Sequence, residues 1–252
     1  MVELLVVIVL IAAIATLGFT GFRAARTQSN QAVSAGNLRQ LAAANLLYAS
    51  DHQTYCPTDL DGKNLTRWHG ARSSISAPFD PEKGLLSEYL GTSRRVGRCP
   101  ELEHLITAAA FNESGAGGYG YNDTYIGSNP YTQPLQGRSV SPPCRPVNVS
   151  NPARTIMFGT TAFAVAGGIQ EYASAAAPFE VDANGRIRGK SLQPSIHFRF
   201  HGKALIAWCD GHVTEERKIE GAGTNFYSGD NDAANIGFCG PTENNGWWNP
   251  RN

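Results

Sequence analysis

The chain has 252 residues, with 21 basic and 21 acidic side chains and a formal net charge of zero. No overall field therefore draws it to nucleic acid or to an acidic membrane surface. Charged residues make up 17%, below the roughly 25% of an average soluble domain, while 27 Gly and 14 Pro demand many turns. Collagen-like repeats, acidic disorder and a basic nucleic-acid module are excluded by these figures.

From Leu4 to Phe22 no residue is charged. A run of about 18 or more mostly apolar residues is long enough to cross a bilayer as a helix. A cleaved signal peptide fits less well, because it would open on Lys or Arg and this segment opens Met-Val-Glu. A simple membrane anchor accounts for the length but not for Glu3, since a carboxylate on an apolar helix is costly without water or a cation. Past Arg23, residues 24–52 contain no Pro and one Gly. There Leu38, Leu41, Ala42, Asn45, Tyr48 and Ala49 recur at the three-and-four spacing of one helix face, with Asn45 the weak member. One helix from about residue 2 to about residue 52 is predicted, roughly 75 Å long at 1.5 Å per residue. Gly18 and Gly21 mark a bend or an unwound stretch, each costing about 1 kcal/mol relative to Ala. The chain thus divides into an N-terminal rod, 1–52, and a globular head, 53–252.

The stretch Glu3-Leu4-Leu5-Val6-Val7-Ile8, with the long helix behind it, closely resembles the mature N-terminus of type IV pilins and type II secretion pseudopilins. The Phe-Thr pair usual ahead of that motif is missing, so the glutamate sits two positions early. The resemblance implies an α+β pilin-like fold, a long N-terminal α-helix packed on an antiparallel β-sheet head with long surface loops. It implies that Glu3 pairs with the α-amino group of a neighbouring subunit, which is cationic below about pH 8. Such a buried pair sets register more than it adds stability. It also implies a prepilin peptidase, an inner-membrane assembly machine, and a rod that serves as membrane anchor before assembly and filament core afterwards.

In the head, Cys56, Cys99, Cys144, Cys209 and Cys239 are widely spaced and none forms Cys-x-x-Cys. Wide spacing suits crosslinks in an oxidising compartment. Cys56–Cys99 is the favoured bridge, since both end ordered segments beside Pro; Cys144–Cys239 is the second, and Cys209, inside an apolar strand, is left free. The alternative is five reduced, buried thiols. A short helix is predicted at Leu85–Leu90, a strand or tight loop at Gly118–Asp123, and a proline-rich connection over 128–152. Core strands are predicted at Thr155–Phe163 and Ala204–Cys209, and a hairpin turn at Ala183-Asn184-Gly185.

The segment from His197 to Val213 reads as a strand, an Asp210-Gly211 turn and a return strand. With Cys-Pro, Tyr-Gly-Tyr-Asn and Asn-Pro-Ala-Arg ahead of it, it resembles the ending of a pilin-like family marked by His201, Asp210 and Gly211, so that the resemblance covers most of 1–217. His197, His201 and His212 with Asp210 could hold zinc, or could simply pack on Phe198, Phe200 and Trp208. No cofactor is required, but Asp230, Asp232 and Asn235 space oxygen ligands as calcium sites do, and major pseudopilins bind calcium in a C-terminal loop; the glutamate that completes an EF-hand is absent. Asn64, Asn112, Asn122 and Asn148 head glycosylation-type triplets.

No nucleophile, P-loop or zinc-protease motif is present, so the expected work is assembly rather than catalysis. The expectation is a homopolymeric extracellular filament subunit, of pilus or pseudopilus type, anchored in the inner membrane before assembly. Two other readings stand beside it. One is a membrane-tethered zinc hydrolase. The other is a non-polymerising glycan-binding module that uses Tyr119–Tyr131 and Trp247-Trp248.

Overall fold

The computed structural model describes residues 2–60, 62–107, 114–128, 141–182, 184–219 and 221–252; along the first part of the helix, side chains are described for Glu3, Val7, Leu10, Ile11 and from Ala25 onward. Helix α1 spans Val2–His52 and runs unbroken through Gly18 and Gly21, with no unwound segment between its halves. It ends where Gln53 takes the left-handed conformation at φ 62. A second helix, α2, is a single turn over Pro100–Glu103.

The strands in chain order are β1 (Thr66–Arg67), β2 (Gly70–Ala71), β3 (Tyr119–Tyr121), β4 (Ile156–Thr160), β5 (Phe163–Val165), β6 (Gly168–Gln170), β7 (Phe179–Val181), β8 (Ile187–Lys190), β9 (Ile196–His197), β10 (Lys203–Trp208), β11 (Val213–Arg217) and β12 (Ile236–Gly237). One sheet has four strands, in the order β11-β10-β4-β3; the others are the pairs β1-β2, β12-β9, β5-β6 and β7-β8, all antiparallel.

This corrects the expected pilin-like architecture of a long helix packed on an antiparallel sheet head. Among the described residues α1 is the one helix of seven residues or more, and the strands are scattered over five small sheets. Among the described side chains of α1, those that enter a core belong to its second half. That core is built as much from loops as from strands: Leu38, Leu41, Ala42 and Ala49 share it with Tyr55, Trp68, Leu86 and Leu102 from loops and short turns, and with Tyr121, Phe158 and Leu205 from strands. A second core lies on the other side of β10, whose residues alternate between the two. Leu205 and Ala207 face the α1 side, while Ala204, Ile206 and Trp208 face Phe198, Phe238 and Trp248, as the two-residue period of a strand requires.

Several local expectations change for identifiable reasons. Leu85–Leu90 is not a helix but a single 3-10 turn over Ser87–Tyr89. The amides of Leu85 and Leu86 donate instead to the carbonyls of Arg67 and Trp68, which ties the segment to the β1–β2 hairpin. The predicted strand Thr155–Phe163 breaks between β4 and β5, where the amides of Thr161 and Ala162 turn away to Gly118 and Ser195. The hairpin around residues 183–185 is present as β7–β8, with Asp182 Oδ1 accepting from the amides of Asn184 and Arg186; Ala183 itself lies outside the described residues.

Asn45, the odd residue in the apolar stripe, is fully buried and satisfied. Its Nδ2 donates to Tyr121 Oη at 3.1 Å and its Oδ1 accepts from the Cys56 amide at 2.8 Å, while Tyr121 Oη donates to the Cys56 carbonyl. This closed triangle joins α1, the loop after it and β3. A second polar lock holds the glycine loop before β3. Buried Glu171 accepts the amides of Gly115 at 3.0 Å and Gly117 at 2.6 Å, and buried Arg199 donates to the carbonyls of Gly118 and Thr161.

Candidate assembly interface

The glutamate of the predicted assembly motif stands in the first turn of α1, where the unpaired amides of a helix start favour a carboxylate. Glu3, Val7, Leu10 and Ile11 fall at i, i+4, i+7 and i+8, so they lie on one face of the helix. All four are exposed, with Val7 at 52%, Leu10 at 56% and Ile11 at 61%. One face of the rod thus presents an acid followed by three solvent-facing aliphatic side chains. Leu4, Leu5, Val6 and Ile8, the rest of the predicted motif, have side chains outside the described residues. Among the described residues no helix is long and apolar enough to cross a membrane, and most side chains of the run from Leu4 to Phe22 lie outside that description.

The rod meets the head further along. Arg26 Nη2 lies 2.8 Å from His104 Nε2, Asn30 Nδ2 donates to Glu101 Oε2, Gln31 Nε2 donates to Glu215 Oε1 and Ser34 Oγ donates to Cys99 Sγ. From Ser34 the buried positions follow at 38, 41, 42, 44, 45 and 49, the predicted stripe joined by Ala44 and with Tyr48 half-buried.

No disulfide joins the head: all five cysteines are free and buried. Both predicted bridges fail on geometry. The Cys56 amide is tied to Asn45 and Cys99 Sγ to Ser34, eleven residues apart on α1, which is roughly 16 Å along the axis. A disulfide requires Cα atoms within about 7 Å. Cys144 belongs to the core on the α1 side of the sheet and Cys239 to the core on the other side. Burial pushes the thiols of Cys56, Cys209 and Cys239 far up and that of Cys144 to about 11. Thiolates are thereby suppressed at neutral pH, and with them reactivity.

The hairpin marked by His201, Asp210 and Gly211 has a structural job. His201 and Gly202, at φ 51 and φ 75, form a two-residue turn closed by reciprocal bonds between Phe200 and Lys203, the geometry of a type I′ hairpin. Asp210 and Gly211 turn the chain at the other end of β10, with Gly211 at φ 93 and its amide bonded to the Trp208 carbonyl. His201 and Asp210 therefore bracket a six-residue strand, roughly 20 Å apart. Asp210 Oδ1 takes both the His212 amide, at 3.1 Å, and His212 Nδ1, at 2.5 Å, while the His212 ring stacks on Trp208. His197 sits in β9, 2% exposed, with Nδ1 unpartnered, and burial holds its pKa well below the usual histidine range. The three histidines are thus not brought together for zinc.

The calcium set is spoken for as well. Asp232 Oδ1 accepts from Lys218 Nζ at 2.6 Å and from the Ala222 amide, its Oδ2 accepts from the Gly223 amide, and these donors hold its pKa down to about 2. Asp230 Oδ1 accepts the amides of Asp232 and Ala233, and Asn235 turns left-handed at φ 54. Among the described residues no group of three or more His, Cys, Asp or Glu side chains could hold a metal ion.

The aromatic residues once candidates for glycan contact are core. Tyr119, Tyr121, Tyr125 and Trp248 are fully buried, Trp247 is half-buried against Trp208, and Tyr131 lies outside the described residues. Asn122 is also buried, donating to the carbonyls of Ile156 and Trp248, so its glycosylation-type triplet is closed to a transferase; Asn112 lies outside the described residues.

Sequence reasoning missed His69, Glu171 and Arg199. His69 is 1% exposed with both ring nitrogens unpartnered, wedged edge-on between Trp68 and Phe79, and burial lowers its pKa strongly. A Trp-His pair ahead of Gly70 was the one visible signal. Comparison with known proteins returned nothing: no family model, no curated protein and no solved structure matches the chain.

Proposed function

We propose that this chain is the structural subunit of an extracellular helical filament of the type IV pilus or type II secretion pseudopilus kind. In this reading it is held in the inner membrane by the N-terminal rod until assembly. The observation that carries the proposal is the face of α1 bearing Glu3, Val7, Leu10 and Ile11: an acid one turn ahead of exposed aliphatic side chains, on a helix that is fastened to the head from Arg26 onward. Exposed apolar surface of this kind is stabilised by about 25 cal/mol per Å² when a neighbour covers it. A carboxylate at the tip selects a cationic partner, which the free α-amine of an adjacent copy supplies once a leader is removed. A prepilin peptidase and an inner-membrane assembly machine are the partners this role requires.

Replacing Glu3 by Ala in cells that express the protein tests the role. Electron microscopy of sheared surface material is expected to show fibres for the native chain and none for Glu3→Ala at equal protein level. Undiminished fibres from the variant remove Glu3 from assembly, and with it the proposal.

A further inference from the structure

A pocket of about 430 Å³ opens on the head, away from the rod, between the β5–β6 hairpin and the loop that carries Tyr227. Three aromatic side chains stand in its wall. The Phe163 ring centroid lies 4.9 Å from that of Tyr172, tilted by 39°, and 5.6 Å from that of Tyr227, nearly edge-on at 78°. Beside them are three amide side chains, Asn64, Gln170 and Gln193, and one cation, Arg67. Phe163 and Gln170 are cross-strand partners, so the ring and the amide are set side by side by the hairpin register. Gln170 is 4% exposed and its Oε1 has no hydrogen-bond partner. Gln193 Oε1 accepts from Tyr172 Oη at 3.3 Å.

The mouth is built rather than incidental. Asn225, 7% exposed, donates to the Ala164 carbonyl at 2.7 Å and accepts the amides of Tyr227 and Gly229 on its own oxygen. That clamp fixes the Tyr227 loop onto β5. Gly229 lies so close beneath it that a Cβ there would stand 2.3 Å from the Ala164 carbonyl oxygen. Tyr227 itself remains 48% exposed, its ring at the rim.

The composition discriminates among ligands. A phosphate or nucleotide calls for several converging cations or a helix start, and this wall offers one arginine. A lipid tail calls for a wall without buried amides. A sugar ring has an apolar C–H face and a rim of hydroxyls that donate and accept, which matches aromatic faces flanked by groups with both capacities. The volume lies within the roughly 300–1,000 Å³ of small-ligand sites. We propose that this pocket is a carbohydrate subsite that seats one hexose ring of a glycan, with the aromatic wall against the ring face and Gln170, Gln193 and Arg67 on its hydroxyls. Gln170 Oε1 is the acceptor a seated hydroxyl satisfies. The site stands independently of the filament role.

Isothermal titration of the full chain in detergent with cellotetraose, maltotetraose, chitotetraose and tetragalacturonate tests it. Saturable binding of at least one is expected, weakened at least tenfold by Tyr227→Ala and by Gln193→Ala. Phe226→Ala, changing a neighbouring exposed aromatic outside the pocket, should leave the affinity within twofold. Calorimetric melting of each variant confirms that its fold is intact, and Gln170→Met provides a further, volume-conserving probe of the buried acceptor. Binding restricted to tetragalacturonate identifies an acidic glycan read by Arg67 and supports the subsite. No heat with any of the four sugars, or affinity unchanged by both Tyr227→Ala and Gln193→Ala, overturns it.

Discussion

The two ends of α1 share one backbone geometry and live in opposite surroundings. Near residue 41 the helix is wrapped on one side, with Leu38, Leu41 and Ala42 at 0% exposure. Near residue 10 the described side chains are more than half exposed, although they are aliphatic. A helix gains most of its stability from packing a face rather than from propensity. The head therefore holds the C-terminal half in place, while the N-terminal half has no cover within its own chain among the described residues. The contrast teaches that the described residues of the chain cover one end of the helix and leave the other open, and that damage at the two ends should register in different measurements.

The largest effect is expected from charging the tip. The double change Val7→Glu, Ile11→Glu should abolish fibres while shifting the melting temperature of the full chain in detergent by less than about 2 °C, since substitutions outside packed regions usually stay within about 0.5 kcal/mol. Fibres of normal abundance would erase the contrast between the ends. Leu41→Ala should behave in the opposite way, lowering unfolding free energy by about 2–5 kcal/mol in urea titration through the cavity it leaves. A loss under 1 kcal/mol would mean the C-terminal half is less tightly held than its burial suggests.

Asn45→Ala comes next. It strips partners from the Cys56 amide and Tyr121 hydroxyl at once, and a buried donor left bare costs about 1–3 kcal/mol. Urea titration should show a loss of about 2–3 kcal/mol.

The smallest effect is a pH dependence confined to the head. His69 and His197 are buried with depressed pKa values, so below the unfolded value near 6.5 the unfolded chain binds protons that the folded chain refuses. Stability contributed by keeping them neutral is fully present above about pH 7 and is lost as pH falls from there. The expected slope is at most about 1.4 kcal/mol per pH unit per histidine. His69→Gln should remove roughly half of that slope between pH 6 and 5. An unchanged slope would show that His69 is reached by water in the folded state.

What the sequence disclosed follows the range of the interactions that decide each feature. The stripe from Leu38 to Ala49 and the Asp210-Gly211 turn rest on neighbours three or four residues away, and both are present. Leu85–Leu90 had helical composition, but its amides are claimed by the carbonyls of Arg67 and Trp68, a choice no local pattern records. The cysteine pairs failed for a similar reason: their separation is set by where Ser34 and Asn45 stand along α1 and by which side of β10 each thiol faces. The exposed face of Val7, Leu10 and Ile11 behind Glu3 was not legible, because the run from Leu4 to Phe22 is apolar all round and its pattern marks no side. The pocket of Phe163, Gln170 and Tyr227 was not legible either, because it is assembled from a hairpin and a distant loop pinned by Asn225.

The glycine loop before β3 carries a consequence for inheritance. Glu171 accepts amides of the loop and Arg199 donates to its Gly118 carbonyl and to that of Thr161 between β4 and β5, so the two ions act on the same four residues of main chain rather than touching directly. Losing one alone strands the other inside the protein, which is far harsher than losing both to apolar substitutes. Descendants of this chain are therefore expected to keep the two charges or to shed them as a unit, and a lineage with a lone survivor would carry an altered loop.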